Sequence, residues 1–253
     1  MNIKAWIPNF FTMLNLLCGC VALVFVSEYS FYWAFSLVCL GIFFDFFDGF
    51  FARKFKVAGP LGVQLDSLAD MITSGVVPGF VMYKMLVLAE SNTRFNPSLN
   101  NIETLQHQIY VWPLLGFLIT VGACYRLAKF NIDTRQTDSF IGLPTPANAL
   151  FVVSLPLLWN TVECPYQVVN LLMNKWFLLS VTVVSAFVMN AEIPLFSLKI
   201  KEFSFAKYKL QISFLAISVL LLIFLKILAV PLIIVVYVLL SVFNNMTHKK
   251  ASV

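Results

Sequence analysis

The sequence predicts an all-α polytopic membrane protein with about eight transmembrane helices, and two observations carry that prediction. Of its 253 residues, 60% are hydrophobic and only 11% are charged. A soluble domain is nearer half apolar and a quarter charged. The apolar residues also fall in stretches of about 20 residues, the length at which a helix crosses a bilayer. These features exclude an ordinary soluble domain, a disordered chain and a nucleic-acid-binding domain, and no nucleic acid partner is expected.

Polar breaks divide the chain into its predicted spans. The eight spans cover residues 10–27, 31–51, 68–89, 109–127, 145–161, 174–190, 210–226 and 227–244. The weakest break separates the last two spans, where only Lys226 and Pro231 interrupt the apolar run. Two short spans joined by a tight turn fit a bilayer better than one helix across the whole of this run.

Positive charge is distributed unevenly between the two sides that eight spans define. An even number of spans places both termini on one side. That side receives 13 of the 17 Lys and Arg residues, the opposite side receives three, and Lys84 lies within a span. Short cytoplasmic loops carry such an excess, so we expect both termini in the cytoplasm of a bacterial cell and the chain in its inner membrane. The bias indicates orientation and leaves function open.

Four of the 12 acidic residues lie between positions 45 and 70. Asp45 and Asp48 are three residues apart, and Asp66 and Asp70 are four apart, so each pair shares one face of a helix. Gly59-Pro60 between the pairs indicates a turn. Two helix ends at one membrane surface would then present two carboxylates each toward the other.

Such a cluster predicts a divalent metal site. Four ionised carboxylates repel one another unless cations lie between them. All-oxygen ligation suits Mg²⁺ or Mn²⁺, and the two histidines, His107 and His248, fall outside the cluster. A cation or proton transporter is a second class of protein that uses intramembrane carboxylates. A transporter would hold its carboxylates near the middle of the bilayer, whereas these cluster at one face.

The acidic stretch resembles a known family signature. It consists of Asp45-Phe-Phe-Asp48-Gly49-Phe-Phe-Ala52-Arg53, eight further residues, and Gly62-x-x-x-Asp66-x-x-x-Asp70. Every position matches the signature D-x-x-D-G-x-x-A-R-x8-G-x-x-x-D-x-x-x-D of the CDP-alcohol phosphatidyltransferases. The resemblance implies a six-helix membrane core, an active site at the cytoplasmic face and a homodimer. Residues 1–253 would form one catalytic domain, with the core at about 1–190 and two extra helices at about 210–244.

The resemblance also implies roles for the signature residues. Asp45, Asp48 and Asp66 would hold the metal, and Asp70 would touch the metal site and act as general base. The CDP portion would lie against Gly49, Ala52, Arg53 and Gly62. Polar residues recur every three positions near the start of the first span and are further candidates for the nucleotide: Asn9, Thr12 and Asn15. Helix capping and interhelical hydrogen bonds are the alternative reading of those three.

Two further segments resemble the phosphatidylserine synthase branch of the family. One is L-D-S-L-A-D at 65–70 followed by G-V-V-P at 75–78, and the other is R-L-A-K-F-N at 126–131 followed by F-I-G-L-P-T-P at 140–146. Lys129 and Val77 depart slightly from the usual residues. The resemblance implies transfer of a phosphatidyl group from CDP-diacylglycerol to the hydroxyl of L-serine, giving phosphatidylserine and CMP. Glycerol 3-phosphate or inositol as the acceptor is the alternative.

Serine is a zwitterion, so its site needs a cationic partner for the carboxylate. The candidates lie in the second of these segments: Arg126, Lys129, Asn131, Pro144 and Thr145. Arg126 or Lys129 would pair with the carboxylate and Asn131 would assist. The alternatives are anchoring of the two cations at the membrane surface and a simple turn at 142–146.

Overall fold

The computed structural model describes residues 3–91, 111–133, 140–160, 164–196 and 209–251, and it confirms the all-α polytopic class. The sequence also predicts an outward loop at about 90–108, and most of that polar stretch lies outside the described residues. The α-helices are α1 (Ile3–Ser27), α2 (Phe31–Phe55), α3 (Pro60–Asp70), α4 (Val77–Glu90), α5 (Leu118–Ile132), α6 (Thr145–Ser154), α7 (Tyr166–Leu172), α8 (Lys175–Asn190), α9 (Lys209–Leu225) and α10 (Ala229–Ala251). A π-helical turn, Met71–Val76, joins α3 to α4. Short 3₁₀ segments are Trp112–Phe117, Leu155–Asn160 and Lys226–Leu228.

Among the described residues, five apolar segments are long enough to cross a bilayer, and a bent pair of helices is a sixth candidate. Four long apolar segments cover Trp6–Ser27, Phe31–Phe55, Pro60–Glu90 and Trp112–Ile132, and a bent pair, α7 and α8, is a further candidate span. The segment Thr145–Trp159 is shorter than a full crossing, which needs about 20 residues. The chain is therefore an integral membrane protein whose fifth predicted span is a short helix.

The last apolar run, Gln211–Asn245, folds back on itself as the weak break predicted. Lys226 has a left-handed backbone, with φ of 49°, at the junction of α9 and α10. The rings of Phe214 and Tyr237 come within 5.5 Å of one another, centroid to centroid. A continuous helix would separate these rings by roughly 35 Å, at 1.5 Å per residue. The run is thus an antiparallel hairpin of two helices.

The third span begins earlier than hydropathy predicted, at Pro60 instead of residue 68. Gln64, Asp66 and Asp70 lower the local hydropathy, although all three are compatible with a helix. Gly59 caps the helix start in an extended conformation and Pro60 occupies the first turn, where its missing N–H costs nothing. The consequence is that both aspartates of this region lie on a helix.

A two-stranded antiparallel pair ties the loop before α6 to the chain after α8. The pair joins β1 (Phe140–Ile141) to β2 (Pro194–Leu195). Gly142 follows β1 with φ of 74°, a left-handed backbone that favours glycine, and its N–H donates to the Ile193 carbonyl at 2.9 Å. Tyr237 on α10 donates its hydroxyl to the Phe196 carbonyl at 3.0 Å. The C-terminal hairpin therefore supports the loop that precedes α6.

Lys84, which the sequence places within a span and on neither side of the membrane, is buried on α4. Its ammonium donates to the Ser27 carbonyl at 3.0 Å and lies 4.2 Å from the centre of the Tyr29 ring. Ser27 is the last residue of α1, and Tyr29 lies in the turn between α1 and α2. Lys84 thus has a structural role, because it holds α4 against that turn through a hydrogen bond and a cation–π contact.

Candidate active site

The first pair of aspartates lies in the C-terminal half of α2, about two to three turns before its end at Phe55. Asp45 is half-buried and Asp48 is buried. The Thr12 hydroxyl on α1 lies 2.6 Å from Asp48 Oδ2 and donates to it. Thr12 is itself buried, so α1 supplies a fixed hydrogen-bond donor to the carboxylate from a neighbouring helix.

The second pair lies on α3, with Asp66 one turn before Asp70. One carboxylate oxygen of Asp66, Oδ1, is buried and accepts no hydrogen bond from the described residues. A buried charged oxygen without a partner is costly, which points to a bound group that the protein atoms alone do not supply.

Oxygen atoms of Asp45, Asp48 and Asp66 all come within 4.8 Å of one another. Three carboxylates at this spacing in a half-buried position repel one another strongly unless a cation lies between them. The donor set is entirely oxygen, the type that Mg²⁺ and Mn²⁺ prefer. The side chains present, including the unpartnered Asp66 oxygen, therefore fit a divalent metal.

Asp70 is outside this group of three, although the sequence placed it among the metal ligands. Its Oδ1 accepts a hydrogen bond from the Asn15 side-chain amide on α1 at 3.1 Å. Asp70 ends α3, and the π-helical turn starts at the next residue. Asp70 therefore pairs with an amide, whereas the other three aspartates lie close to one another.

The residues predicted to meet the nucleotide lie where α1, α2 and α3 converge. Arg53 is exposed near the end of α2 and folds back over Gly49, so that a Cβ atom at Gly49 would lie 3.4 Å from Arg53 Nη1. Ala52 lies beside them, half-buried. A Cβ atom at Gly62 would lie 3.7 Å from Asn9 Oδ1, which brings α3 close to α1. Gly62 and Asn9 therefore bring α3 and α1 together, and Arg53 lies against Gly49 on α2.

Arg126 and Lys129, the cations predicted to bind serine, have different surroundings. Arg126 is buried, and its Nη1 donates to the carbonyls of Ile141 at 2.7 Å and Met189 at 2.6 Å. It therefore joins α5 to β1 and to the end of α8. Lys129 is more exposed and lies 3.5 Å from Glu192. Both cations therefore contact other groups of the protein.

Asn131 is the serine candidate with a direct contact to α3. Its side-chain amide donates to the Ser67 hydroxyl at 2.9 Å, and Ser67 is the neighbour of Asp66. Pro144 is the residue before α6, and Thr145 is buried in the first turn of that helix.

Sequence reasoning missed two residues of this region, Ser67 and Thr73. Ser67 contacts Asn131, and Thr73 donates its hydroxyl to the Asn15 carbonyl at 3.0 Å. A pattern in the sequence could have identified this region, because the polar residues Asp66, Asp70 and Thr73 recur at helical spacing around a predicted span. Such residues are rare in lipid and usually face other protein groups.

The structure thus defines a helical membrane protein in which two neighbouring helices, α2 and α3, bring three carboxylates together. The family model for CDP-alcohol phosphatidyltransferase matches residues 5–187. The chain therefore belongs to the CDP-alcohol phosphatidyltransferase family, which consists of enzymes, and the sequence-based assignment is confirmed.

Curated relatives are similar over the same part of the chain. The CDP-diacylglycerol–serine O-phosphatidyltransferase of Bacillus subtilis (strain 168) is 30% identical over 161 residues, which are 62% of this chain and 78% of the relative. The protein of the same name from Methanocaldococcus jannaschii is 34% identical over 61% of this chain and 62% of its own length. The archaetidylserine synthase of Methanothermobacter thermautotrophicus is 30% identical over 60% and 58%. The chain thus spans about three-fifths to four-fifths of these relatives.

Proposed function

We propose that this chain transfers the phosphatidyl group of CDP-diacylglycerol to the hydroxyl of L-serine, producing phosphatidylserine and CMP. The observation that carries the proposal is the pair of aspartate-bearing helices, α2 and α3, whose signature defines the family. Serine as the acceptor is supported by the relatives, since the names of all three specify serine although one of them names a different lipid. Residues 1–253 act in this proposal as one catalytic domain.

The proposed reaction is a direct displacement at phosphorus. Asp70 accepts the proton of the serine hydroxyl, and the oxygen attacks the phosphorus on the diacylglycerol side of the pyrophosphate. The bond from that phosphorus to the CMP oxygen breaks, and CMP leaves with the electron pair. Asp45, Asp48 and Asp66 would hold a divalent metal, Mg²⁺ or Mn²⁺, which when bound would supply positive charge to the pyrophosphate and the departing CMP. Arg53 pairs with phosphate oxygens, since a guanidinium matches their geometry.

The remaining contacts of the proposal follow the arrangement of the helices. Gly49, Ala52 and Gly62 lie against the CDP portion because small residues allow close approach, and Asn9 and Thr12 line the same side from α1. Asn131, which touches Ser67 beside Asp66, contacts the serine. The site and both termini face the cytoplasm of a bacterial cell, where the excess of Lys and Arg lies. Two copies form a homodimer.

The test of the acceptor is a transfer assay with purified protein. We expect CDP-diacylglycerol, Mg²⁺ or Mn²⁺ and labelled serine to give labelled phosphatidylserine and one equivalent of CMP. Parallel reactions contain glycerol 3-phosphate or inositol at the same concentration. If one of these acceptors gives product and serine gives none, serine is not the acceptor. The proposed transfer of the phosphatidyl group would still stand.

Replacing Arg126 with methionine separates a serine contact from a structural one. The two carbonyls that its Nη1 satisfies lose a charged donor, so we expect the free energy of unfolding to fall by about 2–4 kcal/mol. Unfolding in detergent, followed by tryptophan fluorescence, measures the change. Lys129→Met is the matched control, because its exposed pair with Glu192 contributes about 0–1 kcal/mol. An unchanged stability of the Arg126 variant together with a raised KM for serine would assign Arg126 to substrate binding instead.

A further inference from the structure

Asn15 lies in the middle of α1 and is completely buried. Its side-chain nitrogen donates to Asp70 Oδ1 at 3.1 Å. Because a carboxylate accepts hydrogen bonds, only the nitrogen of the amide can face Asp70, and this fixes the orientation of the Asn15 side chain. The sequence favoured a nucleotide contact for Asn15, but a side chain with this burial and this partner faces another residue of the protein.

The π-helical turn that follows Asp70 also forms a hydrogen bond with the backbone of Asn15. Thr73, buried in the π-helical turn, donates its hydroxyl to the Asn15 carbonyl at 3.0 Å. Asp70 and Thr73 are three residues apart, so the end of α3 and the turn after it form two hydrogen bonds with Asn15. One point is the side-chain amide and the other is the main-chain carbonyl.

Two glycines surround this junction and leave little room for another arrangement. A Cβ atom at Gly41 on α2 would lie 2.8 Å from Asn15 Oδ1 and 2.8 Å from Thr73 Cγ2. A Cβ atom at Gly19 on α1 would lie 2.5 Å from the Thr73 hydroxyl oxygen. Real Cβ atoms essentially never approach other atoms this closely. The bare backbones of both helices therefore close around Asn15 and Thr73.

We propose that Asn15 is a positioning residue for Asp70, and that Thr73 in turn positions Asn15. The amide holds one oxygen of the Asp70 carboxylate and leaves the other to accept the proton of the attacking hydroxyl. The inference rests on the proposed function, in which Asp70 is the general base. It predicts that losing either contact slows the chemical step and leaves substrate binding intact.

Steady-state kinetics of Asn15→Leu and Thr73→Val test this inference. Leucine and valine keep the side-chain shapes and remove the polar groups. We expect kcat to fall about 10- to 100-fold for the Asn15 variant and about tenfold for the Thr73 variant, as for residues that orient a reacting group. The KM for CDP-diacylglycerol should stay within about twofold. Thr73→Ser, which keeps the hydroxyl, should restore most of the activity.

Thr182→Val is the matched control, since Thr182 is a fully buried threonine on α8 whose hydroxyl donates to the Leu178 carbonyl of its own helix. It should retain the wild-type kcat. If the Asn15 variant does not fold, the comparison of valine and serine at position 73 carries the test. A raised KM for CDP-diacylglycerol with an unchanged kcat would overturn the inference and restore Asn15 to the nucleotide site.

The failure of this inference is distinguishable from failure of the proposed function. Wild-type protein without any phosphatidyl transfer would remove the proposed function itself. Active wild-type protein, an inactive Asp70→Asn variant and a fully active Asn15→Leu variant would remove only the positioning role.

Discussion

Asp70→Asn is expected to lower kcat for serine transfer by at least about 10³-fold, because the site loses the group that accepts the hydroxyl proton. Asparagine has nearly the same shape, and its side-chain carbonyl can still accept the hydrogen bond that Asn15 donates. The fold and the affinity for CDP-diacylglycerol should therefore be retained. Labelled serine measures transfer, and titration with CDP-diacylglycerol measures binding.

Glu90→Gln is the matched control for the charge change. Glu90 ends the helix that follows the π-helical turn and pairs with Lys175 at 3.0 Å, on a partly exposed surface. The same loss of a carboxylate there should leave kcat unchanged. Turnover by the Asp70 variant within about tenfold of wild type would exclude Asp70 as the base, since general bases contribute about 10²–10⁴-fold.

Removal of divalent metal is expected to lower the rate of serine transfer about as much as the Asp70→Asn substitution does. Three carboxylates whose oxygens lie within 4.8 Å of one another repel the negative charge of the substrate pyrophosphate unless a cation binds between them. Protein treated with a chelator should lose at least about 10³-fold in rate, and added Mg²⁺ or Mn²⁺ should restore it. Metal binding should also stabilise the fold, by about 2.7 kcal/mol at a metal concentration 100 times Kd.

Asp66→Asn provides a readout of the metal site that does not depend on activity. It keeps the position of Oδ1, the buried oxygen without a partner among the described residues, and removes its charge. We expect the affinity for Mn²⁺, measured by electron paramagnetic resonance, to fall at least about tenfold. Glu90→Gln again serves as the control and should bind Mn²⁺ as the wild type does. Equal affinity in the Asp66 variant would exclude Asp66 as a ligand.

Hydropathy and spacing were sufficient to predict much of this fold. Long apolar runs have few ways to satisfy their backbone groups in lipid other than helices, so the membrane class followed from composition. The turn at Lys226 was predicted because Lys226 and Pro231 interrupt the apolar run and because one helix over the whole run would exceed the bilayer. The spacing of Asp45, Asp48, Asp66 and Asp70 was sufficient to place them on two helices.

The parts that could not be predicted depend on contacts between helices. Hydropathy treats Gln64 and Asp66 as a break, so it started the third span too late. The pairing of Asn15 with Asp70 depends on how α1 packs against α3, which spacing along one helix does not encode. Arg126 has two plausible partners in sequence terms, a substrate or the backbone. Only the positions of Ile141 and Met189 show that it donates to main-chain carbonyls.

The π-helical turn at Met71–Val76 has a consequence for how this segment can change during evolution. Each residue of an α-helix rotates the chain by about 100°, so an extra α-helical residue between α3 and α4 would rotate α4 relative to α3 by that angle. The buried face of α4, with Met82 and Met85, would then turn away from its neighbours while Asp66 stayed in place. The number of residues between Asp70 and Val77 is therefore constrained independently of their identity. Insertions and deletions here should be rarer than substitutions.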